Sequence, residues 1–320
     1  MTNSPSIDLV GVGLNAIDTL IPLPHYPALG SKVEFRSANI LPGGQVASAV
    51  IACQQWGLRT SYVGKVGEDR FADIHREEFA KAGVVAHLLA AQGCASQQAF
   101  ILVDDTGERT VLWKRDNNLT LRPEELKQEW IVEARALHVD GHDTAAAIQA
   151  AIWAKASGVP VIADLDEVYP GVQGLLGNID YLIASRDIPG RLTGETNLHA
   201  SLQALQARYG CRLTAATLGH EGVVAWDGSQ FHYAAAFRVE SVDTTGAGDI
   251  FHAGFIYGLL QGWPLARQLD FACAAAALNC TAIGARGGIQ NVEAIKNLIS
   301  TGARYEHVSQ SPTSGNSEPH

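Results

Sequence analysis

The sequence is short of basic residues, of paired cysteines and of long apolar runs, and each shortage excludes a class of protein. Its 320 residues carry 23 Lys and Arg against 33 Asp and Glu, a formal net charge of −10. Cations spread that thinly do not offset phosphate repulsion, so neither nucleic acid nor an anionic membrane is an expected partner. The five cysteines are odd in number and include no CxxC pair. That argues against a disulfide framework and a structural zinc site, and they read as buried thiols of a reducing cytoplasm. No basic segment followed by a long apolar stretch opens the chain, so export is not expected. The most apolar run, 271–282, is Ala-rich, interrupted by Asn279 and too short to span a bilayer. No internal repeat or shift of composition marks a second globular domain. The expectation is a cytoplasmic enzyme or small-molecule binder with ample mass for a full core.

Glycine is plentiful instead, at 32 residues, and clusters in short loops between apolar runs. The runs at 8–13, 137–141, 159–164, 181–184 and 213–218 are short and continuous, as doubly buried parallel strands are. Helical patterns at 45–55, 71–81, 143–156 and 197–209 alternate with them, and each is followed by a glycine: Gly57, Gly83, Gly158 and Gly210. Strand and helix in alternation predict an α/β fold, a mostly parallel sheet with helices on both faces. Two segments break the rhythm. Residues 19–42 hold Pro22, Pro24, Pro27 and Pro42 with short β-type runs, and 98–115 reads as a hairpin turning at Asp104-Asp105-Thr106-Gly107. They predict a small β-sheet lid, with strands from about 19–42 and 96–118. Residues 1–303 read as one domain and 304–320 as a disordered tail, Ser-, Pro- and Gly-rich toward its end.

Gly11-Val12-Gly13-Leu14-Asn15-Ala16 approaches a dinucleotide fingerprint, but a β-branched, proline-broken segment follows where a helix must start. Asp18, just past the first strand, can accept hydrogen bonds from ligand hydroxyls or serve as an ordinary turn aspartate. Pro42-Gly43-Gly44-Gln45 leads into an Ala-rich helix with Ser48 in its first turn, either a close backbone approach to a ligand or a tight turn. Thr217-Leu218-Gly219-His220-Glu221-Gly222 closes a buried strand before a second hairpin, 223–226 with 231–234. His138, Asp140 and His142 alternate along one strand face and could hold zinc, although no third imidazole supports them. The strongest motif is Asp243-Thr244-Thr245-Gly246-Ala247-Gly248-Asp249, followed by an apolar helix that ends at Gly262 and Pro264. Gly246, Ala247 and Gly248 present backbone N–H groups and a positive dipole end to an anion, with Asp249 in the first turn beside them. Such a pairing suits phosphoryl transfer: the hole holds the phosphoryl oxygens and the carboxylate takes the proton of the attacking hydroxyl.

Read in order, these motifs resemble the ribokinase-like (PfkB) family of carbohydrate and nucleoside kinases. Asp18, Gly43-Gly44, Gly64-Lys65-Val66-Gly67-Glu68-Asp69, Thr217-Leu218-Gly219 and the run from Asp243 to Asp249 carry the likeness over nearly the whole chain. The resemblance implies a three-layer sandwich with a mostly parallel central sheet and a small β-sheet lid. It implies transfer from ATP, with Mg²⁺, to a hydroxymethyl group of a small sugar or sugar derivative, with Asp249 as base and Gly246, Ala247 and Gly248 as anion hole. Asp18, Gly43, Gly44, Gln45, Ser48 and Gln98 would hold the acceptor. Ser185, Thr217, Gly219, Gly222 and Asn279 would line the ATP site, with Asn279 bordering the adenine. Many members place K⁺ near the first aspartate of the signature, here Asp243 with Thr245, and some pair through the lid as homodimers. The sequence departs from the family in three places. Ser48 stands where an asparagine is common, and Ser185-Arg186-Asp187-Ile188 replaces Asn-x-x-Glu, which leaves the Mg²⁺ ligands open. The loop Gly284-Ala285-Arg286-Gly287-Gly288 lacks a usual serine. On the lid, Trp113 could stack on a base while Lys114 and Arg115 could pair with an acidic sugar, or all three could be lid packing. A nucleoside kinase and a non-catalytic sugar or nucleotide sensor stay open as rivals.

Overall fold

The computed structural model describes residues 7–104 and 109–306. Thirteen strands form two sheets. In chain order they are β1 (Ile7–Val12), β2 (Ala16–Pro22), β3 (Asn39–Gly43), β4 (Thr60–Val66), β5 (Val85–Ala90), β6 (Gln98–Val103) and β7 (Arg109–Lys114), then β8 (Ala134–Asp140), β9 (Val161–Leu165), β10 (Tyr181–Ser185), β11 (Leu213–Thr217), β12 (Val223–Trp226) and β13 (Phe231–Ala234). The large sheet runs β13-β12-β11-β10-β9-β8-β1-β4-β5, and every pair is parallel except those of β12 with β11 and with β13. Its central strands are buried on both faces, which is why β1 and β9 read as unbroken apolar runs and not as alternations.

The helices are α1 (Gln45–Gln55), α2 (Arg70–Ala82), α3 (Glu129–Val132), α4 (Thr144–Ala156), α5 (Val172–Leu176), α6 (Ile188–Thr193), α7 (Leu198–Tyr209), α8 (Ala247–Leu260), α9 (Leu265–Asn279) and α10 (Val292–Thr301). One apolar core lies under α1, α8 and α9, and a second, on the other face, lies under α4 and α5. Helix α8 is apolar on all sides because it is sandwiched between the sheet, α1 and α9. Gly254 makes that sandwich close, since a Cβ there would overlap the Ala272 backbone. Helix α2 starts where Asp69 accepts a hydrogen bond from the Ala72 N–H, and Gly83 ends it in the left-handed region at φ 80°.

The small sheet runs β3-β2-β6-β7. It begins at Ala16, three residues before the proline-rich segment suggests, and β2 pairs with β6 in parallel, so the hairpin β6–β7 is only half of the lid. The expected turn at 104–107 lies largely outside the described residues. The tail does not start at 304: Arg304 forms an antiparallel bridge with Phe237, and Tyr305 donates its N–H to the Ala236 carbonyl. Residues 307–320 lie outside the described residues. No helix among the described residues is long and apolar enough to cross a membrane.

Candidate active site

The parallel strands deliver their C-terminal ends to one edge of the sheet, where open α/β sheets bind ligands. Asp18 comes from β2, Gly43 and Gly44 from the turn between β3 and α1, and Asp249 from the first turn of α8. Asp18 is 7% exposed, and burial together with the charge of Asp249 pushes its carboxyl up to about 7. Gly43 lets it sit there, because a Cβ at 43 would overlap the Asp18 carboxylate. Gly44 adopts φ 97°, packed against the Asn15 backbone, so no side chain fits there. The Asn15 amide donates to the Tyr62 hydroxyl at 2.8 Å and to the Lys65 carbonyl at 3.1 Å, while its own oxygen is buried without a partner.

Gly246 opens α8 at φ 76° against the Ala285 backbone, and the next turn leaves N–H groups without helical acceptors. Open space lies where a Gly248 side chain would be. Asp249 is half-buried, and its carboxyl is pushed up to about 6 by desolvation and then by Asp166; Arg286, a Ser48 hydrogen bond and Arg109 oppose the shift. Asp243 works behind this loop: its carboxylate accepts from the N–H of Thr245 at 2.9 Å and of Gly284 at 2.8 Å. Asn279 is fully buried and donates to the carbonyls of Thr245 and Ala285. It braces the Thr245–Gly248 turn from behind and is not among the residues that line the neighbouring cavity.

Arg286 is the residue the sequence reading passes over. Its guanidinium donates to the Gly43 carbonyl at 2.8 Å and the Ser48 hydroxyl at 3.2 Å, and it lies 3.6 Å from the Glu78 carboxylate. Ser48, in the place of an asparagine, therefore bridges Arg286 to Asp249. The signal available in the sequence was a single cation in a glycine loop, 238 residues from Ser48.

Beside the Ala247-Gly248 turn lies a cavity of about 360 Å³, lined by Thr217, Gly219 and Gly222 and by Phe237, Phe251 and Ala276. A larger hollow of about 800 Å³ lies across the 218–221 turn, beside α6 and α7, and neither Asp249 nor Gly246, Ala247 and Gly248 lines it. Ser185 ends β10 opposite Thr217 in the parallel register, off the cavity wall. Gln98 opens β6, and Gln45 hydrogen-bonds Asp164 beneath the site.

The histidine triplet is structural. Asp140 accepts from the N–H groups of Leu14 and His142, and the His138 ring contacts the Ile162 carbonyl and stacks on His252. Among the described residues no three His, Cys, Asp or Glu side chains converge as a metal cage.

The lid turns one face inward. Arg109 reaches the Thr245 hydroxyl at 3.4 Å and Trp113 meets His142 edge-on, whereas Lys114 lies on the opposite face of β7. Arg115 is neutralised by Asp143 at 2.7 Å, so neither it nor Lys114 offers an acidic sugar a free cation.

Known proteins resemble this chain in sequence and fold. Residues 1–291 match the model of the pfkB family carbohydrate kinases. The 5-dehydro-2-deoxygluconokinase of Clostridium perfringens is 27% identical over 319 residues, covering 91% of this chain and 92% of its own. The ATP-dependent ribose-1-phosphate kinase of Halopiger xanaduensis is 30% identical over 278 residues, 84% of this chain and 90% of its own. Among solved structures, Arabidopsis thaliana ribokinase complexed with ribose and ATP superposes with a TM-score of 0.80 at 24% identity, covering 92% of this chain and 99% of its own. Adenosine kinase from Sinorhizobium meliloti does so with the same TM-score, identity and coverage. The chain belongs to the pfkB family of carbohydrate kinases, phosphotransferases that act on an alcohol group.

Proposed function

We propose that the protein transfers the γ-phosphoryl group of ATP to a hydroxymethyl group of a small sugar or sugar derivative. The observation that carries this reading is the position of Asp249. It stands in the first turn of α8, beside the small residues Gly246, Ala247 and Gly248, with the cavity on one side and Asp18 on the other. ATP would lay its base and ribose in the cavity over Thr217, Gly219 and Gly222 and direct its phosphates to Gly246, Ala247 and Gly248. The acceptor would hydrogen-bond to Asp18 and the Gly43-Gly44 turn. Asp249 takes the hydroxyl proton as the new O–P bond forms and the bond from the γ-phosphorus to the bridging oxygen breaks, so that ADP leaves, while the N–H groups hold the phosphoryl oxygens. Mg²⁺ arriving with ATP would supply charge neutralisation. Arg109, brought by the lid toward Asp18 and Asp249, adds positive charge to the same region.

The test is ADP release with ATP and Mg²⁺ across hexoses, ketoses, pentoses, sugar acids, sugar phosphates and nucleosides. Turnover stimulated by a sugar class is the expected result. Stimulation by nucleosides alone, or ATP binding without turnover on any compound, would replace this reading with the nucleoside kinase or the sensor. For the acceptor side, Gly43→Ala is expected to displace Asp18 and raise the acceptor KM about tenfold or more, with ADP affinity unchanged. An unchanged acceptor KM would remove Asp18 from the acceptor site.

A further inference from the structure

Residues matching the family model end at 291, yet the chain beyond α10 returns to the cavity. Residues 303–306 run beside the segment that follows β13. The Arg238 N–H donates to the Ala303 carbonyl at 2.8 Å, the Tyr305 N–H to the Ala236 carbonyl at 3.0 Å, and Phe237 and Arg304 pair as a bridge. Arg304 fastens this return twice. It pairs with Asp270 of α9 at 2.7 Å and donates to the Ala235 carbonyl at 2.9 Å, with its guanidinium 4.0 Å over the Phe237 ring. Phe237 and α9 are both cavity walls, so the strap is tied to the cavity it overlies. Its side chain there is Tyr305, half-buried, with Arg238 5.2 Å from its ring and His220 edge-on at 5.9 Å.

We infer that residues 303–306 form a strap that closes the nucleotide site, with the Tyr305 ring as the surface against which the nucleotide base packs. This rests on the cavity being the ATP site. The Tyr305 ring lines a mostly apolar slot, with a cation and an edge-on imidazole packed beside it, which is the setting of a stacking platform. Stacking recognises the π-face of a base and not its edge, so the ring matters and the phenol hydroxyl does not.

Calorimetric titration of the full chain with ADP tests the strap without an identified acceptor. Tyr305→Ala is expected to weaken ADP about tenfold, the size of one base–aromatic contact, whereas Tyr305→Phe keeps wild-type affinity. Ala276→Phe, which fills the cavity from α9, serves as the control for the site itself and is expected to abolish binding. Thermal melting confirms that each variant is folded. Wild-type affinity in Tyr305→Ala with binding abolished by Ala276→Phe would overturn the strap and leave the site standing. Wild-type affinity in a folded Ala276→Phe protein would overturn both.

Discussion

Asp249→Asn is expected to lower kcat by about a thousandfold, in the middle of the range for loss of a general base, while ADP affinity stays within about twofold. The amide keeps the shape of the carboxylate and its contact with Ser48 but cannot take a proton. The pH profile of the wild-type enzyme should carry the same signature. Desolvation, then Asp166, pushes the Asp249 carboxyl up to about 6, and the base works only when ionised. Hence kcat/KM with the acceptor found in the panel should rise with pH through about 6 and level off above 7. Stability runs the other way. A carboxyl whose folded-state pKa is raised favours the fold when protonated, so Asp249 and Asp18, at about 6 and 7, cost stability as pH climbs through those values. Asp249→Asn should therefore melt at or above the wild-type temperature at pH 8 while nearly inactive. Turnover near wild type, or a profile flat from pH 5 to 8, would remove Asp249 from the role of base.

What the sequence makes legible here is local. Helix α1 occupies the 45–55 span of its apolar pattern, and β12 and β13 fall on the two arms of the expected hairpin, because strand, helix and turn signals act within a few residues. The signature at Asp243 to Asp249 is legible for the same reason: glycines and a helix start are adjacent in the chain. Long-range partnerships are not. Asn279 stands behind the Thr245–Gly248 turn because its amide finds two carbonyls, one of them 34 residues away, and no local pattern distinguishes that from lining a cavity. The parallel pairing of β2 with β6 is equally invisible, since the strands are separated by β3, α1, β4, α2 and β5. The boundary expected at 304 falls among long-range contacts: Arg304 and Tyr305 are held by residues near 236, 238 and 270, not by helix or strand propensity.

Arg286 belongs to that long-range class, and its replacement should have the largest effect on the protein as a whole. Its side chain is 8% exposed and faces Glu78, Ser48 and the Gly43 carbonyl, with its charge acting on Asp18 and Asp249. Removing one partner from such a buried cluster leaves carboxylates uncompensated, so Arg286→Met should destabilise the fold by about 3–5 kcal/mol. The same loss raises the carboxyls of Asp18 and Asp249 further, because the cation that favoured their charged forms is gone. The acid limb of kcat/KM should then move to higher pH than in the wild type, with activity lost at pH 7 and partly recovered at pH 9. Arg286→Lys separates the two contributions. A lysine keeps the charge but not the planar fork that reaches Gly43 and Ser48 together, so the acid limb should stay near 6 while the melting temperature still falls. An acid limb unmoved in Arg286→Met would mean that the arginine only ties the Gly43 turn to α1. A limb shifted in both variants would mean that its position, carried through Ser48, governs Asp249 more than its charge does.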